Sequence, residues 1–164
     1  MPTTFNWIFL GTETDFLDPT EGNSNAENAA LFENRTYGSA VDPLYQRITS
    51  TTTINNGGAA GALDMNNTAA NDAFTTDIGA GTQTFIFDGL SVFNATITYA
   101  NGTTALVTAV LAQSTTGEFF LAPEIGFNAD VTAFEAGPIV SITLDSVNAS
   151  TNTNLGGNRL LQGW

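Results

Sequence analysis

The stretch Ser91–Ala112, "SVFNATITYANGTTALVTAVLA", alternates apolar and polar residues on both sides of Asn101-Gly102. A period of two belongs to a pleated strand, and Asn-Gly is the pair preferred in a two-residue type I′ turn, where both positions need positive φ. The pattern therefore predicts a hairpin with Tyr99 opposite Thr104, Ile97 opposite Leu106, Ala95 opposite Thr108 and Phe93 opposite Val110. Asn94, Thr96 and Thr98 then share a wetter face with Ala105, Val107 and Ala109. A helix would scatter these residues around its axis, so the segment commits the chain to β structure.

The rest of the chain repeats the signal in shorter pieces. Thr3–Gly11 reads as a strand with Phe5, Trp7 and Phe9 on one side and Asn6, Ile8 and Leu10 on the other. Two apolar faces suit a strand between layers, or one awaiting a partner. Further strands are expected at "LYQRITSTTTI", "DAFTTDI", "QTFIFDG", "EFFLAPE", "PIVSITLDSV" and "NRLLQGW", and "SNAENAALF" offers a short helix from a Ser24–Glu27 capping box to Glu33. About eight to ten short strands between Gly, Asn and Pro turns predict an all-β fold. The expected architecture is a two-sheet sandwich of jelly-roll type, with one short helix, spanning residues 1–164 as one domain. Residues 55–72, "NNGGAAGALDMNNTAAND", lack any period and read as a long Gly/Asn-rich surface loop.

Charge narrows the function. Sixteen acids face only Arg35, Arg47 and Arg159, for a net charge of −13, with no lysine, histidine or cysteine. Such a surface repels phosphate, so neither nucleic acid nor an anionic membrane is an expected partner, and no stretch is apolar enough for membrane insertion. Without histidine, lysine or cysteine, imidazole triads, Schiff bases, P-loops, disulfides and thiolate metal sites drop out. A carboxylate pair acting on glycans remains as chemistry, but no two acids stand on a strand among aromatics, and the expectation is a non-enzyme. Exposed Trp7, Trp164 and Tyr45 would suit sugar stacking, the alternative being a carbohydrate-binding module. The chain opens on "MPTTFNWIFLGTE", without a basic n-region and with an apolar run, Trp7–Leu10, too short for a signal peptide.

Two oxygen-rich stretches are candidates for calcium. In "DMNNTAAND", Asp64, Asn66, Asn71 and Asp72 are hard donors suited to Ca²⁺, and Asp64, Asn66 and Thr68 fit the first, third and fifth places of an EF-hand loop. The match then breaks, with Ala69 where Gly is required and Thr75 where a bidentate Glu closes the site. The other reading is a turn-forming loop, since Asn tolerates left-handed backbone and caps turns. In "LDPTEGNSNAENAALFEN" the cluster Asp15, Asp18, Glu21, Asn23 and Glu27 fits either a bound cation or the positive end of a helix, the simpler account.

Taken together, "TTFNWIFLGTETDFLDPTEGNSNAENA", "NNTAANDAFTTDIG", "FNATITYANGTTALVTAV" and "FFLAPE" resemble the amino-terminal region of secreted bacterial proteins that carry a Hint (hedgehog/intein-like) domain. In that family acidic calcium-binding repeats or the Hint module itself often follow. The resemblance implies an extracellular location, reached by signal-peptide-independent secretion through a C-terminal uncleaved signal, and a self-processing module beyond Trp164. It assigns no catalytic residue. The combined expectation is a secreted structural or adhesive β-domain, self-associating into fibres or matrix, stabilised by calcium and with surface glycans as further partners.

Overall fold

The structure, a computed structural model, describes residues 3–65 and 71–164. The chain is all-β. Its strands are β1 (Thr4–Thr12), β2 (Thr36–Tyr37), β3 (Ile48–Ile54), β4 (Ala62–Leu63), β5 (Ala73–Asp77), β6 (Thr82–Tyr99), β7 (Thr104–Ser114), β8 (Glu118–Ala122), β9 (Ile139–Ala149) and β10 (Leu155–Gly156). The two layers of the expected sandwich are parts of one continuous antiparallel sheet, ordered β2-β9-β6-β5-β3-β1-β8-β7, in which β7 pairs again with β6. That second pairing closes a six-stranded ring. It is possible because β6 is long: Thr82–Ile86 pairs with β5, Phe87–Thr98 with β7, and Val92–Tyr99 with β9 on the opposite edge. Bulges at Phe87/Gly89 and at Phe9/Gly11 give the curvature that closure needs.

Closure creates two cores. Inside the ring, Trp7 stacks on Phe120 at 4.1 Å and meets Phe74 edge-on at 4.8 Å, with Phe5, Phe85 and Phe87 around them. β3 gives this interior Thr51 and Thr53 in place of hydrocarbon, and the Thr51 hydroxyl is satisfied by Thr76. On the outer face, Ile8, Leu10, Phe93, Ile97, Leu121 and Ile142 form the second core, covered by two 3-10 turns through Phe32 and Leu44. β1 thus buries both faces, Phe5 and Trp7 inward and Ile8 and Leu10 outward, while pairing with β3 and β8 along its two edges. Of the two fates open to a doubly apolar strand, it takes the buried one within its own chain.

The hairpin forms with its register shifted by one residue. Thr98 faces Thr104, Ile97 faces Ala105, Ala95 faces Val107 and Phe93 faces Ala109. The tip is a Tyr99–Gly102 turn closed by Gly102 N–H to the Tyr99 carbonyl at 2.9 Å, with Gly102 alone at positive φ, +85°. Asn101 stays at negative φ and accepts the Thr103 N–H and hydroxyl. The shift places Ala105, Val107 and Ala109 beside Ile97, Ala95 and Phe93 in the outer-face core, in one row with Leu111, and burial of that row selects it over the tighter turn.

The helix also lies elsewhere. Residues 24–33 form only a 3-10 turn, Ala29–Phe32, and the Ser24–Glu27 capping box is not made. Ser24 gives its carbonyl to the Asn152 N–H, and Ala26 gives its N–H to the Ser150 carbonyl, so this backbone is committed to a neighbouring segment. The α-helix is α1 (Ala129–Phe134), capped by Asn128 accepting the Val131 N–H at 3.0 Å. Its Asp130 accepts the Thr108 N–H and so covers the part of β7 that extends past β8. "NRLLQGW" forms no strand; it runs beside residue 124, with Leu160 N–H donating to the Glu124 carbonyl.

Candidate functional site

The loop predicted to hold calcium gathers three of its four residues. Asp72 is fully buried and accepts the Asn56 N–H at 2.7 Å on one oxygen and the Asp64 N–H at 2.8 Å on the other. Asp64, also buried, accepts the Ala59 N–H at 2.9 Å and the Asn154 side-chain amide. The Asn71 carbonyl accepts the Asn56 side-chain amide at 2.9 Å; Asn66 lies outside the described residues. Each of the four carboxylate oxygens therefore already holds a donor. The pair acts as a clamp that holds residues 56–64 against residues 71–72 and ties them to the segment after β9. Burial, and then Asp72, push the Asp64 carboxyl above its ordinary value, against the pull of the Ala59 N–H. Asp72→Ala would strand two amides, each worth about 1–3 kcal/mol when buried without a partner, so a loss of about 2–6 kcal/mol in urea unfolding is expected.

The acidic segment before the 3-10 turn is built differently. Glu13 and Asp15 are neutralised by Arg35, at 3.0 and 2.6 Å, and Glu13 also accepts the Tyr37 hydroxyl at 2.6 Å. Asp18 has no such partner. It is 1% exposed, and its Oδ2 accepts the Asn152 amide while Oδ1 meets no donor among the described residues. Gly89 makes this approach possible: a Cβ there would lie 3.0 Å from Asn152 Oδ1 and 3.2 Å from the Asp18 Cβ. The Asp18 carboxyl is pushed up to about 7, first by burial and then by Glu21, Glu27 and Asp88. Glu27, itself held by the Asn23 amide at 2.6 Å, is one of the acids that raise the Asp18 carboxyl. Among the described residues no three acidic side chains are already gathered tightly enough to hold a metal ion.

The aromatic residues expected as a sugar platform separate. Trp7 is fully buried and cannot serve. Tyr45 and Trp164 come together at the rim of a depression of about 360 Å³, with Glu135 and Pro138, and Trp164 packs edge-on against Phe134 at 5.5 Å. A second depression, of about 400 Å³, has Phe9, Ile48 and Ile78 among its apolar lining and Arg47 and Asp77 among its polar lining. Ile125, Phe127 and Leu161 are exposed at 57%, 86% and 73%, on two segments joined by the Leu160–Glu124 hydrogen bond.

Asn152 and Asn154, which hold Asp18 and Asp64, escaped sequence reasoning. "ASTNTN" reads as a polar turn, and nothing local marks either amide as the partner of a carboxylate far away along the chain. No family model, no curated protein and no solved structure matches the chain.

Proposed function

We propose that the chain is a secreted, non-catalytic structural or adhesive β-domain that coheres with copies of itself. The observation that carries this reading is the exposure of Ile125, Phe127 and Leu161, on two hydrogen-bonded segments of a strongly anionic molecule. Single exposed apolar side chains are ordinary, but three on touching segments mark a contact surface. A charge of −13 keeps copies apart in dilute salt. In saline surroundings the reach of that repulsion contracts to about 10 Å or less, and the patch prevails. Its small area suits contacts that are weak singly and effective in arrays. The resemblance to secreted Hint-bearing proteins supports export and a longer precursor.

Sedimentation of the purified chain over a range of protein and salt concentrations tests the reading. Association that strengthens with salt and disappears in Phe127→Ser is expected. A wild-type protein that stays monomeric at every concentration and salt would remove it.

Tyr45 and Trp164 favour a second reading, as a carbohydrate-binding module, because two aromatic residues and Glu135 border one depression. A glycan array with EDTA controls separates the two. Binding lost in a folded Tyr45→Ala variant supports the sugar site, and a blank array leaves the cohesive reading alone.

A further inference from the structure

Asp18 poses a charge problem that the polypeptide does not solve. Its Oδ1 is buried without a donor among the described residues, and Glu21, Glu27 and Asp88 surround it with like charge. A buried carboxylate persists only when something neutralises it. The chain has no lysine or histidine, and its three arginines are engaged elsewhere. Arg35 holds Glu13 and Asp15, Arg47 holds Asp42, and Arg159 donates to the Pro123 carbonyl. The α-helix whose positive end would have accounted for these acids is not there. Either a proton or an imported cation must stand between Asp18 and Glu27.

We infer that Asp18 Oδ1 and the Glu27 carboxylate bind a divalent cation of the calcium class, with Glu21 and Asp88 supplying further negative field. The side chains assigned to this site carry only oxygen donors, which excludes metals that prefer nitrogen or sulfur. One ligand is buried and Glu27 is exposed, so water completes the shell from the solvent side. Ca²⁺ accepts such an irregular, partly hydrated set, whereas Mg²⁺ demands near-octahedral geometry. The position has structural leverage. Asp18 reaches β6 and the segment after β9 through Asn152, whose Oδ1 accepts the Leu90 N–H at 3.0 Å. A cation there would pin the acidic loop to both. The inference is independent of self-association, since it needs no second copy. Asp64 and Asp72, with a donor on every oxygen, serve as the internal comparison.

Calorimetric titration and thermal melting of the full chain just above neutrality, with CaCl₂, MgCl₂ or NaCl at matched ionic strength, test this. Wild type should bind one Ca²⁺ and melt higher with it than with either other salt. Asp18→Asn and Glu27→Gln should fold, by circular dichroism, yet weaken Ca²⁺ binding at least about tenfold, while Asp64→Asn retains it. Equal effects of the three salts, or full Ca²⁺ binding by Asp18→Asn, would overturn the assignment. So would loss of binding in Asp64→Asn alone, which would place the cation in the other loop.

Discussion

Trp7→Ala is expected to remove about 3–5 kcal/mol of stability, the usual loss for truncating a fully buried tryptophan. That is a large part of the roughly 5–15 kcal/mol available to a domain. Trp7 has zero exposure, and its ring touches Phe5, Phe74 and Phe120, which come from β1 itself, β5 and β8. It therefore joins walls of the ring that do not all neighbour one another in the sheet. The indole Nε1 has no hydrogen-bond partner among the described residues. Trp7→Phe discards that N–H, worth about 1–3 kcal/mol when buried unsatisfied, against the lost ring volume. The phenylalanine variant should accordingly fall much closer to wild type than the alanine variant. Urea unfolding followed by circular dichroism gives both values. A loss under about 1 kcal/mol for Trp7→Ala would mean that β1 is not seated in its own ring. The exchange of this strand between copies would then become the leading explanation.

How far the sequence could be read depended on the range of the interaction involved. Alternation within β1, β5, β6 and β7 was visible because a strand's two faces are written in neighbouring residues. The hairpin register was not, although Asn101-Gly102 marked its place correctly. Turn preference alone favours the two-residue loop, and the competing gain, a continuous row of Ala105, Val107, Ala109 and Leu111, appears only when both strands are summed against a core. The Ser24–Glu27 pattern failed for a similar reason: the backbone of Ser24 and Ala26 is claimed by residues 150 and 152, distant in sequence. Asp64 and Asp72 were recognisable as oxygen-rich, but donors from Asn56, Ala59 and Asn154 decide what they do. Ring closure through β6 and β7 had no local signature. It follows from the length of β6 and the bulge at Gly89, which let one strand serve both layers.

The second large effect is a stability that falls with rising pH and is traceable to Asp18. Its carboxyl titrates near 7 in the folded chain and near 3.8 in the unfolded one. Between those values the folded state holds a proton that the unfolded state has released, so raising the pH favours unfolding until Asp18 is ionised in both. At about 1.4 kcal/mol per unit, the ceiling is on the order of 4 kcal/mol. The groups facing Asp18 are Glu21 and Glu27 on its own segment and Asp88 on β6, all of one sign, and the Asn152 amide from the segment after β9. Nothing cationic among them reverses the direction. Asp42 and Glu27 titrate below their ordinary values, held there first by Arg47 and by the Asn23 amide, and they act the opposite way at lower pH. Stability in EDTA should thus climb as those carboxyls ionise and then decline towards neutrality. In Asp18→Asn the climb remains and the decline disappears, because the amide keeps an acceptor for Asn152 and offers Glu27 a donor. Urea unfolding of both proteins from about pH 4 to about pH 8 measures the difference, and parallel curves would acquit Asp18. The variant should be the more stable protein at neutrality without cation, and the one that gains less when Ca²⁺ is added.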